Sequence, residues 1–287
     1  MSENTDNKCC ICGHVSQNPE QTSIRSNVRK FRNEIFELWR CEKCRSIHSK
    51  SDVNLDYYYS YYPFFKQTLD GILKMSYRRL THRLKRAGMS RTWKILDYGC
   101  GSGLLMEYMR TDGYDAVGYD RYSADHSDPI ILNRQYDLVV AQDVIEHAAD
   151  PLEILRQLDS LVRPGGQIAI GTPNAAGIDL KNPEKFVHPL HQPYHRHIFA
   201  IDTLIQCAAD LGWSLQAYYP TPYTNMPLLS LPFLHHYMKQ YDGCIDMLFE
   251  PNKKIGRLLY HPGTLFWLLA GYFLCNDADI VAIFHKR

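Results

Sequence analysis

The stretch Asp97-Tyr98-Gly99-Cys100-Gly101-Ser102-Gly103 lies between the run Lys94-Ile95-Leu96 and Leu104-Leu105-Met106. That order predicts a short strand ending in a glycine turn that opens a helix. Glycines spaced by single residues suit a turn whose backbone must come close to a ligand, because a side chain would hold the two apart. The helix behind the turn offers unpaired N–H groups. A second strand, Ala116-Val117-Gly118-Tyr119, ends in Asp120. This is close to the separation at which an acidic residue meets ribose hydroxyls in doubly wound folds. Together these features imply an α/β domain that binds a nucleoside ligand. The pattern Asp-x-Gly-x-Gly-x-Gly differs from the dinucleotide fingerprint Gly-x-Gly-x-x-Gly.

Further along, Tyr136-Asp137-Leu138-Val139-Val140-Ala141-Gln142 reads as a strand and Asp143-Val144-Ile145-Glu146-His147 as its outgoing loop. Asp150-Pro151-Leu152-Glu153 reads as an N-cap, a proline at the first helical position and a glutamate three residues after the cap. Leu152, Leu155, Leu158, Leu161 and Val162 then form one helical stripe. Arg163-Pro164-Gly165-Gly166 precedes another strand, Gln167 to Gly171. Over roughly residues 90 to 220 plus the last strand, this set resembles the class I S-adenosylmethionine-dependent methyltransferases.

The resemblance implies a Rossmann-like, seven-stranded sheet. It also implies that Gly99, Gly101 and Gly103 admit the amino-acid end of S-adenosylmethionine, that Asp97 orients that end, and that Asp120 takes the ribose hydroxyls. Gln142 or Asp143 then lies beside the adenine or the sulfonium, and Tyr98 and Arg121 complete the expected cofactor shell. Tyr98 stands where many relatives carry a smaller residue.

With 287 residues and a formal net charge of +1, the chain can hold one large domain or a main domain with an appendage, and it has no global attraction for nucleic acid. Ser2 to Lys8 is polar and lacks the apolar core of a signal peptide, so a cytoplasmic protein with reduced cysteines is expected. The apolar stretch Thr264 to Cys275 is too short to span a bilayer.

In a reduced compartment, Cys9-x-x-Cys12 and Cys41-x-x-Cys44 read as two knuckles of a zinc ribbon over residues 1–50, with Cys10 a competitor for the place of Cys9. Four thiolates close a tetrahedral shell, so such a zinc is structural. Cys100, Cys207, Cys244 and Cys275 read as packed apolar groups.

Residues 51–90 carry an aromatic cluster, Tyr57 to Phe65, and then an amphipathic lead-in helix. The cluster either covers the cofactor pocket or packs between ribbon and main domain. The helix has an apolar face of Leu69, Leu73, Tyr77, Leu80 and Leu84. Its opposite face, with Lys74, Arg78, Arg79, Arg83, Lys85 and Arg86, is expected to be solvated, the alternative being attraction for phosphate. The cofactor-binding domain takes residues 91–222 plus 277–287, with Trp213 to Tyr219 as its sixth strand and Asp279 to Phe284 as its seventh. Between those strands, residues 223–276 form a helical insertion broken by prolines from Pro227 to Pro251 and Pro262. It reads as a substrate cap, with peripheral membrane contact or plain packing as competing uses.

Methyl transfer to a hydroxyl needs donor and acceptor held in register and a group that removes the proton. In the family reading His195 is that base, with His191 next and His147 nearby, because imidazole titrates near neutrality. Asp143, Glu146, His147 and His197 also resemble the carboxylate-carboxylate-histidine set with which some ubiquinone-pathway and small-RNA 2′-O-methyltransferases hold a divalent metal. The expected acceptor is a small molecule or glycan: a hydroxyl on a sugar, a glycan precursor or a specialised metabolite. The rivals are an RNA methyltransferase that docks through its ribbon, which near-neutral charge argues against, and a non-catalytic cofactor-binding partner protein. No DNA partner is expected.

Overall fold

Short three-stranded pairing follows the first cysteine knuckle in the chain. The computed structural model describes residues 7–51, 53–250 and 256–287, so the expectations placed on Ser2 and Pro251 fall outside the described residues. In chain order the elements are β1 (Glu20–Arg25), β2 (Ile35–Arg40), β3 (Ile47–Ser49), α1 (Leu55–Tyr59), α2 (Gly71–Arg86), β4 (Lys94–Tyr98), α3 (Leu104–Thr111), β5 (Asp115–Tyr119) and β6 (Tyr136–Gln142). They continue with α4 (Pro151–Leu161), β7 (Val162–Pro173), α5 (Val187–Leu190), β8 (His197–Ile198), α6 (Ile201–Asp210), β9 (Trp213–Tyr219), α7 (Leu231–Lys239), α8 (Gly256–Tyr260), α9 (Gly263–Ala270) and β10 (Asp279–Lys286).

The main sheet has the order β5-β4-β6-β7-β10-β9. Neighbours from β5 to β7 run parallel, while β10 is antiparallel to both β7 and β9. Helices cover both faces, so its central strands are apolar on both sides. Leu96, Val139 and Ile168 point into one core with Leu155, Leu158 and Leu204, while Ile95, Leu138, Val140 and Ala169 point into the other with Leu80, Leu84 and Met109. This is the two-residue alternation of a strand, one residue to each side.

The sheet has six strands among the described residues, where the resemblance implies seven. The missing strand would lie outside β5, fed by the segment from Arg121 to Gln135. That segment instead turns straight back. Asp120 N–H donates to the His126 carbonyl at 2.9 Å, Asp128 caps a 3-10 turn over Pro129–Asn133, and β6 begins at once. A parallel crossover with its helix takes at least about ten residues before any strand is added, and the segment is too short for both. β5 is therefore an edge strand.

Local chemistry sets the helix starts. Asp150 accepts from the N–H groups of Leu152 and Glu153 at 2.9 and 3.0 Å ahead of Pro151, and Asp70 accepts from Leu73 N–H at 2.8 Å. The basic face of α2 departs from expectation. Arg83 is buried, donates to the Thr221 carbonyl at 2.8 Å and lies over the Tyr219 ring at 4.6 Å. Arg79 donates to the Asn225 carbonyl and to Tyr272 Oη. The face is split: two arginines tie down the start and end of the insertion, while Lys74, Arg78, Lys85 and Arg86 stay exposed.

The N-terminal strands form a separate sheet, β1-β2-β3-β8. Its last strand comes from the loop after β7, with Ile47 opposite Ile198 and His48 opposite His197. No described helix is long and apolar enough to cross a membrane.

Candidate active site

A cleft of about 810 Å³ opens at the carboxyl ends of β4, β5 and β6, the place where open α/β sheets bind ligands. The turn after β4 forms one wall. Gly99, Gly101 and Gly103 have φ of +77°, +55° and +78°, a region that side chains other than glycine rarely adopt. A Cβ at Gly99 would collide with Val144, whereas one at Gly101 would meet nothing within 4 Å. Backbone is thus bared to the cleft at Gly101. Its N–H is held by Asp120 Oδ2 at 2.8 Å, and Asp120 Oδ1 accepts from Tyr122 N–H at 2.7 Å.

Beneath the turn, Asp97 is buried and its Oδ2 has no hydrogen-bond partner. Burial, helped by the charge of Asp120, pushes its carboxyl up to about 7. Gln142 lies across Gly171 with its Oε1 also unpartnered. Asp143 takes the left-handed region at φ +55°, its N–H bonded to the Gly171 carbonyl at 2.8 Å. Its carboxyl is open to the cleft yet enclosed by protein, and desolvation pushes it up to about 6. Tyr98 and Arg121 line the cleft, but the Tyr98 hydroxyl is taken by Gln157 at 2.6 Å. Eight of the nine residues expected in a cofactor shell border one cavity; Gly103 does not, and faces His126 and Met106 at the start of α3 instead.

The histidines meet at its opposite wall. His195 Nδ1 lies 2.6 Å from the Pro189 carbonyl, so it must donate, which leaves Nε2 as a lone pair. That Nε2 is 4.0 Å from Glu146 Oε1. Glu146 is fully buried; its Oε2 accepts from Thr172 Oγ1 at 3.0 Å, and its Oε1 has no partner. His191 Nδ1 contacts Asn27 Oδ1 at 2.6 Å, and His147 Nδ1 contacts the Tyr59 hydroxyl at 2.9 Å. Both have an unpartnered Nε2. Burial holds His147 down to about 4 and the other two well below the usual imidazole range, and it raises Glu146 well above the carboxylate range, with the Asp143 charge adding to this. The imidazoles are neutral at pH 7.

Glu146, His147 and His195 bring their donor atoms within 4.8 Å of one another. A carboxylate and two neutral imidazoles form a donor set that accepts a divalent ion. The set anticipated from sequence was different. His197 is not part of it, because β8 pairs with the ribbon and places His197 Nδ1 3.0 Å from His48 Nδ1; Asp143 also lies outside the cluster. Sequence reading also passed over Tyr59 and Tyr62 as individual lining residues, and over Tyr223 and Asp279, which border the same cavity. The aromatic run Tyr57–Phe65 was the available signal for the first two. Asp279 opens a strand and gives none.

Cys9, Cys12, Cys41 and Cys44 converge as the knuckles predict. Sγ–Sγ separations of 3.5 Å for Cys9–Cys44 and 3.6 Å for Cys12–Cys41 match the roughly 3.8 Å edge of a tetrahedron with 2.3 Å zinc–sulfur bonds. Cys10 is not in this set and faces His48 instead, at 3.9 Å.

A family model described as a methyltransferase domain matches residues 70–242. The chain is 29% identical over 130 residues to a ubiquinone biosynthesis O-methyltransferase of Acinetobacter baumannii, covering 36% of this chain and 51% of that protein. It is 29% identical over 188 residues to the protein of the same description from Dinoroseobacter shibae, covering 58% and 68%. The chain thus spans about half the length of the first of these relatives. Among solved structures it is similar to an S-adenosylmethionine-dependent methyltransferase from Mesorhizobium loti, with a TM-score of 0.44 and 12% identity over 76% of this chain and 100% of that one.

Proposed function

Because the chain belongs to the methyltransferase-domain family and is an S-adenosylmethionine-dependent methyltransferase of class I, we propose that it methylates a hydroxyl of a small molecule, with His195 as the base. The observation that carries this reading is the free Nε2 lone pair of His195, fixed by the Pro189 carbonyl and lying 4.0 Å from the unpartnered Glu146 oxygen. S-adenosylmethionine, when bound, supplies a methyl group on a positively charged sulfur. The residues present fit it: Asp97 offers a buried carboxyl with one unpartnered oxygen to its ammonium group, the bare backbone at Gly101 allows close approach, and Asp120 at the end of β5 suits the ribose hydroxyls.

An acceptor hydroxyl is a poor nucleophile until its proton leaves. His195 Nε2 takes that proton, while the Pro189 carbonyl holds the ring through Nδ1–H and bears part of the charge of the imidazolium formed. Tyr59 and Tyr62 keep bulk water out, so the new alkoxide meets the methyl donor rather than solvent. The relatives' descriptions as O-methyltransferases support oxygen as the acceptor atom. A sugar, glycan precursor or specialised metabolite remains our reading of its class, and the cysteine cluster is read as a structural zinc site.

The convergence of Glu146, His147 and His195 favours a second reading, in which these three hold a divalent ion that lowers the acceptor's proton affinity. Labelled methyl transfer to a panel of hydroxylated sugars and phenols separates the two. His195→Ala lowers turnover roughly a hundredfold in either case, with cofactor affinity unchanged. Survival of wild-type activity in chelator supports the base, and loss that added magnesium restores supports the metal. Full turnover by His195→Ala on an accepted substrate refutes both.

A further inference from the structure

The insertion carries an apolar surface that neither core nor cleft uses. Leu265, Leu269 and Phe273 recur at four-residue steps along α9 and its continuation and are 64%, 58% and 81% exposed, with Phe266 and Leu274 beside them and Tyr260 at 89%. No charged residue falls between Gly263 and Asn276. The other side of the same segment is fixed. Gly271 is pressed against Ser230 at the start of α7, the Asn225 side chain donates to the Tyr272 carbonyl at 3.5 Å, and Arg79 reaches the Tyr272 hydroxyl at 3.2 Å. The outward stripe is therefore held in place. Six large side chains standing open on one short segment exceed what scattered surface apolar residues need.

Arg79 places α2 beside this stripe. On α2, Ile72 and Met75 share a helical face with Arg79 and are 51% and 57% exposed, and Lys74 and Arg78 project from the adjoining face with no acid between them. Apolar side chains bordered by cations are the chemistry of an interfacial segment that sinks its aromatic and leucine side chains to the acyl boundary while lysine and arginine meet lipid phosphates. A second copy of the chain would oppose these cations to themselves. We propose that α9 and the exposed face of α2 dock on an anionic bilayer surface. The docking face adjoins the cleft, since Leu73 and Tyr77 on α2 and Leu231 on α7, against which α9 packs, all line it. An acceptor presented at a membrane surface would enter there.

Co-sedimentation of the full chain with vesicles tests this and does not depend on any methyl acceptor. Wild type should pellet with phosphatidylcholine vesicles containing phosphatidylglycerol, weakly with phosphatidylcholine alone, and progressively less as salt rises. Leu269→Ser with Phe273→Ser should weaken binding tenfold or more, and Lys74→Glu with Arg78→Glu should abolish the preference for phosphatidylglycerol. S-adenosylhomocysteine binding serves as the folding control, since none of these side chains reaches the cleft turn. Wild type that stays in the supernatant with both vesicle types overturns the proposal. So does a dimer, seen by sedimentation velocity without lipid, that Leu269→Ser with Phe273→Ser dissociates.

Discussion

If Asp97 holds the ammonium group of the cofactor, as proposed, it ties cofactor affinity to pH. Its carboxyl has one unpartnered oxygen, no cation nearby to stabilise its charge, and is pushed up to about 7 by burial. Only the ionised form can pair with an amino-acid ammonium. At pH 6 about a tenth of empty protein carries that charge, and at pH 8 about nine-tenths. The dissociation constant of S-adenosylhomocysteine, which keeps the amino-acid end, should therefore fall about tenfold from pH 6 to pH 8 in calorimetry.

The linkage has the opposite sign for the empty protein. A carboxyl raised in the folded state from its ordinary 3.8 to about 7 makes folding less favourable as pH climbs between those two values, by up to about 4 kcal/mol once pH passes 7. Asp97→Asn removes the charge. The variant should unfold at a higher temperature than wild type at pH 8, bind the ligand at least tenfold more weakly there, and lose most of the pH dependence. Equal pH dependence in Asp97→Asn and wild type would refute the assignment of Asp97 to the ligand's ammonium group.

Two further outcomes follow from the framework around the site. Metal analysis should give one zinc per chain, and Cys41→Ser should lose it together with thermal stability, because three thiolates leave the shell open. Arg83→Ala should cost about 2–4 kcal/mol, since it orphans the Thr221 carbonyl and empties the space over Tyr219; the melting temperature and the rate of proteolysis within residues 223–276 measure it.

The parts legible in the sequence are those fixed by neighbouring residues. The turn from Asp97 to Gly103, the Asp150 cap and the two knuckles depend on a few adjacent side chains, and each forms as the spacing predicts. What was not legible depends on which distant strand a segment meets. His195 and His197 are two residues apart, and nothing in their spacing says that the chain becomes a strand at His197 and turns it to His48 while His195 stays with Glu146. The α2 arginines show the same limit. A helical wheel marks Arg83 as polar and outward, but Thr221 and Tyr219 arrive from the far end of the chain to cover it. The absent strand is countable, because the segment between Asp120 and Tyr136 is too short for a helix and a strand.

The two-residue strand β8 makes the ribbon and the histidine wall of the cleft one mechanical unit. Ser49 N–H holds the Arg196 carbonyl at 2.8 Å, and Arg196 N–H in turn holds the Glu146 carbonyl at 2.8 Å. A segment that looks in linear order like a detachable module is spliced, by a continuous run of backbone hydrogen bonds, to the loops bearing Glu146 and His195. The ribbon therefore cannot be exchanged for another domain, or deleted, unless the replacement supplies an edge for His197 and Ile198 to join.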